Sequence, residues 1–147
     1  MRVIQRIALL FGIFLILVPF VGFLSKEVTD CLVEKQENVY IERFVSKICR
    51  TGSITYEEYL LFHKALSQRG NQIEIRIDEY QREQDLEGKN YYPPVIWEEL
   101  WKVLQVEKMY YFAEDSIVKV VVNRWDMMDE RQIRRFGRIS KGVANDT

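Results

Sequence analysis

The spacing of hydrophobic positions changes several times along the chain, and each change marks an element. From Ile7 to Leu24 the sequence IALLFGIFLILVPFVGFL has no polar alternation and no charge. Written as a helix at about 1.5 Å per residue, this run covers roughly 27 Å, close to the hydrocarbon thickness of a bilayer. A helix apolar on every side finds too little cover in so small a domain, so a membrane span is expected. Pro19 is predicted to kink or loosen it. Beyond the span, Val28, Leu32, Val39, Ile41, Phe44, Val45 and Ile48 recur mostly at helical steps among charges, and neither Gly nor Pro interrupts Ser25 to Arg50. The span is therefore expected to continue into a stalk helix over 25–50, a rod roughly 60 Å long. Its face of Ile41, Phe44, Val45 and Ile48 is a candidate packing surface, for the chain's own head or for a neighbouring subunit.

At Thr51-Gly52 the helical pattern stops, as a glycine able to adopt the left-handed conformation predicts. Thr55 followed three residues later by Glu58 is a capping box, so Gly52, Thr55 and Glu58 define a helix–turn–helix corner. The next helix, Tyr56 to Ser67, places Tyr59, Leu60, Phe62, His63 and Leu66 along one broad side, and ends at a turn signal, Arg69-Gly70-Asn71. The period then becomes two: Ile73, Ile75 and Ile77 alternate with Glu74, Arg76 and Asp78, a half-buried strand. A polar loop leads to Pro94, expected in the first turn of a helix with Trp97, Leu100, Trp101 and Leu104 as its stripe. KMYYFAEDSIVKVVVNRW reads as a hairpin around an AEDS turn. DERQIRRFGRISKGVANDT reads as a short basic helix or irregular end broken at Gly137 and Gly142.

Composition changes this picture only at its edges. With 147 residues, 48% of them apolar, the chain holds one small domain besides the span. A net charge of -1 leaves no basic surplus to displace nucleic-acid counterions. The apolar run exceeds a usual signal-peptide core of about 7–15 residues and no A-x-A-like pair comes after it, so an uncleaved anchor is expected. Arg2 and Arg6 before the span, against mixed charges after it, predict the N-terminus inside and the rest outside the cell. Cys31 and Cys49 on one helix would stand roughly 27 Å apart, so two separate thiols are expected.

The sequence carries no convincing catalytic or metal-binding pattern. Gly52, Ile54 and Glu58 match three positions of a calcium-binding loop, but the matching ligand positions hold Lys47, Cys49 and Thr51, where a hard cation requires oxygen. His63 has no nominated catalytic partner. Glu57-Glu58 and Glu98-Glu99 diverge around a helix and suit first turns, where the helix dipole favours acids. No zinc, phosphate-loop or nucleophile motif occurs, and the expectation is no catalytic residue, no metal and no cofactor. The cluster Arg131, Arg134, Arg135, Arg138 and Lys141 is the one surface bias, suited to a solvated helix end or, functionally, to an acidic partner or anionic headgroups.

The plan of short basic start, apolar span, amphipathic continuation and small α+β head resembles pilin-like proteins of type IV and Tad (Flp) pilus systems. More narrowly, FVSKICRTGSITYEEYLLFHKALSQRGNQIEIRI and FAEDSIVKVVVN resemble segments of small TadE-like membrane-anchored proteins encoded with Tad pilus genes in Firmicutes. MRVIQR lacks the glycine and glutamate of processed prepilins, which points to an unprocessed assembly component or minor pseudopilin-like subunit. The resemblance implies an α+β chain with residues 1–6 cytoplasmic, 7–24 spanning the bacterial cytoplasmic membrane once, 25–50 as stalk and 51–147 as an extracytoplasmic head. It implies non-enzymatic packing with pilus or secretion-system membrane proteins, as a homo- or hetero-oligomer. The alternative is a single-span sensory or regulatory protein whose outer domain binds a ligand or peptide.

Overall fold

Backbone hydrogen bonds local to the chain carry the first element through its whole length: α1 (Arg2–Thr51) is one helix and passes through Pro19. It is seen in a computed structural model that describes residues 2–68, 72–126 and 129–140. The chain divides into two units, Met1–Asn38 and Val39–Thr147, and α1 contributes to both. In the first unit no residue of the 18-residue apolar window is buried, and this helix is long and apolar enough to cross a membrane. The proline removes one backbone donor, a loss that helices in lipid tolerate.

In the second unit the last turns of α1 bury Ile41, Val45 and Ile48. Gly52, with φ +67°, closes the helix by donating its N–H to Ile48 O at 2.8 Å. The corner is not a direct helix–turn–helix, because Ser53–Thr55 form a short strand, β1, between the two helices. Helix α2 (Tyr56–Ser67) buries Tyr59, Phe62 and Leu66, while Leu60 stays exposed. The turn expected at Arg69-Gly70-Asn71 lies outside the described residues.

The alternating segment is β2 (Gln72–Tyr80), and the loop after it contains a small hairpin, β3 (Glu83–Gln84) with β4 (Asn90–Tyr91). Pro94 belongs to a two-residue strand, β5 (Pro94–Val95), rather than to the helix. It tolerates that place because β5 is a sheet edge, where a missing N–H costs least. Helix α3 (Trp97–Glu107) begins two residues later, and Asp78 Oδ1 accepts the Trp97 N–H at 3.0 Å. It buries Leu100 and Leu104, with Trp97 and Trp101 half-buried at their side.

Two sequence expectations fail in the last third. The segment KMYYFAEDSIVKVVVNRW is not a hairpin: β6 (Met109–Tyr111) pairs with β1, whereas β7 (Ile117–Asp126) pairs with β2. The Arg-rich tail is neither helical nor irregular but a ten-residue strand, β8 (Asp129–Arg138), antiparallel to β7. Lys141 and Gly142 lie outside the described residues. The resulting antiparallel sheet has the order β5-β2-β7-β8. Its inner face supplies Ile75, Ile77, Val118, Val120 and Val122 to one core with Ile41, Ile48, Phe62, Leu66, Leu100 and Leu104. The chain is thus α+β, with a long N-terminal helix, two further helices and small antiparallel sheets.

Candidate functional site

The stalk face read from the sequence is spent within the second unit. Ile41, Val45 and Ile48 are 1–5% exposed in the core, and Phe44 stacks on Phe62 with ring centroids 3.7 Å apart. The structure therefore takes the first of the two roles open to these residues, packing on the chain's own head. Presenting them to another subunit would require uncovering this core.

The corner owes its geometry to local bonding. Thr55 Oγ1 accepts the Glu58 N–H at 3.1 Å, and Glu58 Oε2 accepts the Thr55 N–H at 2.9 Å. Such a box is worth about 1 kcal/mol. Lys47 from α1 adds an ion pair to Glu58. Burial raises the Glu58 carboxyl, but Lys47 and the Thr55 N–H outweigh it and hold its pKa below the ordinary value. Its contribution to stability is present above the ordinary carboxylate range and fades as acid titrates it. Glu58 is thus a helix cap and an ion-pair partner, with its oxygens committed to protein donors.

Where β8 crosses α1, the fit is tight. A Cβ added at Gly137 would stand 2.3 Å from Cys49 Sγ and 2.9 Å from Val45 Cγ1. Cys49 is half-buried there and its thiol is pushed up by burial, while Cys31 is exposed; both are free thiols. The strand separates the arginines. Arg134 and Arg138 lie with Phe136 on the outer sheet face, whereas Arg135 turns inward and pairs with Glu42 of α1 at 3.4 Å. Arg138 pairs with Asp115 at 3.2 Å. The expected basic cluster is consequently split between two faces.

Sequence reading missed the most unusual buried group. Glu79 continues the inward alternation of Ile73, Ile75 and Ile77 and is fully buried. Its Oε1 accepts the Ala113 N–H at 2.6 Å, and its Oε2 accepts the Tyr110 hydroxyl at 2.5 Å and the Gln81 amide at 3.3 Å. The available signal was the spacing: an acid two residues beyond three alternating isoleucines sits on their face. These bonds pin the segment after β6 to β2.

Burial is the first cause of the shift at two tyrosines of the core. Burial pushes Tyr59 up to about 12, with Glu74 and Tyr56 adding to it. Burial, then the bond to Glu79, raises Tyr110 still further. Both contributions are present below the ordinary tyrosine value and are lost as pH rises through the folded one. A spectrophotometric titration should find at least two of the eight tyrosines protonated about one unit above the ordinary value of about 10. Full ionisation at that pH in the folded chain would refute this environment.

The remaining candidates have structural partners. His63 is half-buried on α2, with Nδ1 3.3 Å from Ser67 Oγ. Glu98 pairs with Arg76 at 3.3 Å. Trp97 and Trp101 pack against one another and Tyr59, at centroid distances of 4.9–5.1 Å, filling the space a ligand cage would need. Among the described residues, no three His, Cys, Asp or Glu side chains converge as metal ligands. Among the described residues, the apolar window of α1 is left unburied in the first unit. Comparison of the chain with protein-family models, curated proteins and solved structures finds no match.

Proposed function

We propose that the protein is a non-enzymatic, membrane-anchored packing component of a pilin-like apparatus of the Tad or type IV kind. The observation that carries this reading is the apolar window of α1, of which no residue is buried among the described residues. An unburied 18-residue window of this mean hydropathy is unfavourable in water and suited to lipid or to other spans, where van der Waals packing associates helices. A second feature supports it: the same helix ends inside an α+β unit, so anchor and head share one element. The proposed topology keeps Arg2 and Arg6 in the cytoplasm and places Val39–Thr147 outside, with the cytoplasmic membrane as the site of action.

Fractionation of cells expressing the full chain tests the anchor. The protein should stay in the membrane after alkaline carbonate and require detergent for release, with the head cut by protease added outside. Recovery in the soluble fraction would refute it. Crosslinking in the native host should then capture a secretion ATPase, platform protein or pilin. A membrane-bound chain that captures none of these would leave the anchor standing and refute the apparatus.

A further inference from the structure

Two exposed apolar side chains in the second unit are complementary in their surroundings. Leu86 stands fully exposed at the tip of the β3–β4 turn, between Asp85 and Glu87 and near Glu83. The turn is rigid rather than loose. Asp85 Oδ1 accepts the Glu87 and Lys89 N–H groups at 3.0 and 2.8 Å, and Gly88, at φ +79°, returns its N–H to Asp85 O at 3.0 Å. A leucine held out on such a turn has already lost the backbone freedom that binding would cost.

Phe136 is 63% exposed on the outer face of β8. Lys119 lies directly opposite it on β7, and Arg134 and Arg138 flank it on the same face of its own strand. The ring has three cations beside it, with Lys119 also facing Asp78 of β2 and Arg138 paired with Asp115. The leucine has three acids, with Lys89 beyond them. The two rims still differ in sign around an apolar centre. In one chain Arg82, at the base of the turn, is tied to Asp115 at 3.2 Å, and Asp115 also holds Arg138. Yet Leu86 and Phe136 are both exposed, so the turn does not reach its own β8.

We propose that Leu86 of one copy seats on Phe136 of a second copy, with Glu83, Asp85 and Glu87 facing Arg134, Arg138 and Lys119. The contact is heterologous. Each copy keeps one unused turn and one unused face, so association continues into a ring or an open chain. A turn tip covers less than the roughly 1,200–2,000 Å² of a standard interface, so the contact is weak in free solution. Confinement in a bilayer raises the effective concentration, a step that rests on the membrane anchor proposed above.

The test uses the full chain in vesicles, with Cys49→Ala leaving Cys31 as the single site for donor or acceptor dyes. Flotation with the vesicles reads the anchor independently of energy transfer. The parent should show transfer that rises with surface density. Leu86→Asp alone and Phe136→Asp alone should each weaken association by about tenfold or more. An equal mixture of the two variants should restore pairwise transfer, because each supplies the half the other lacks, and misfolded copies could not do so. Absent transfer in the floating parent, undiminished transfer in either variant, or no restoration on mixing would each overturn the contact. Failure to float would refute the anchor instead.

Discussion

Glu79→Ala should be the most damaging single truncation of a polar side chain in the second unit, costing about 3 kcal/mol. The carboxylate is fully buried, and its removal leaves the Ala113 N–H and the Tyr110 hydroxyl facing an apolar void. Unpaired buried donors cost more than the bonds themselves were worth, and the cavity adds to the loss. With a urea dependence near 1.5 kcal/mol per molar, the midpoint followed by tryptophan fluorescence should fall by about 2 M. Glu79→Gln should cost about a third as much. Its amide oxygen still accepts the Ala113 N–H, and the Tyr110 hydroxyl rotates to accept from its amide nitrogen. Equal midpoints for the parent and the alanine variant would show that the buried network contributes nothing.

Gly137→Ala should cost about 2 kcal/mol by overpacking, and Gly137→Val more. The added Cβ meets Cys49 Sγ at 2.3 Å and Val45 Cγ1 at 2.9 Å, both on the face of α1 that β8 crosses. Cys49 can turn its sulfur aside at some rotamer cost. Val45 is branched at Cβ and stiff in a helix, so it gives way less. Cys49→Ala should therefore relieve part, but less than half, of the Gly137→Ala loss while changing little alone, since the contact with Val45 remains. A double-mutant cycle in urea reads that coupling, which for groups in contact runs from about 0.5 to 3 kcal/mol. Strictly additive losses would mean that β8 and α1 do not meet at this point.

The helices were legible because their signals are local. The step of three and four residues through Ile41, Phe44, Val45 and Ile48, the Thr55/Glu58 box and the Gly52 stop all act within a turn or two of helix. The alternation of Ile73, Ile75 and Ile77 likewise declared β2 and its inner face. Strand pairing was not legible. β1 is three residues long and finds β6 more than fifty positions away, a choice no local pattern records. β8 was obscured because its arginines alternate between faces around an edge, where charged side chains are tolerated and even protective. Pro94 was misplaced for a related reason, since proline suits an edge strand as readily as a first helical turn.

The candidate packing residues divide in the same way. Periodicity identified Ile41, Phe44, Val45 and Ile48 as apolar and co-facial, but no spacing within α1 says which surface covers them. Their cover includes Phe62 of α2 and β8 at Gly137, brought in from elsewhere in the chain. Glu79 is the sharper case. Its charge marks it for the surface, and donors 31 and 34 positions onward, with the Gln81 amide beside it, make its burial tolerable.

The amino-acid order alone settled the uncharged run from Ile7 to Leu24, the helical continuation beyond it, the glycine stop and the alternating strand. Each of these rests on interactions between near neighbours, or on a solvent preference summed over consecutive residues. The partnering of β6 with β1, the edge position of β8, the glycine contact under it and the burial of Glu79 became visible only once the chain was folded. Each depends on groups distant along the chain, whose meeting is decided by the packing of the whole core rather than by any one segment.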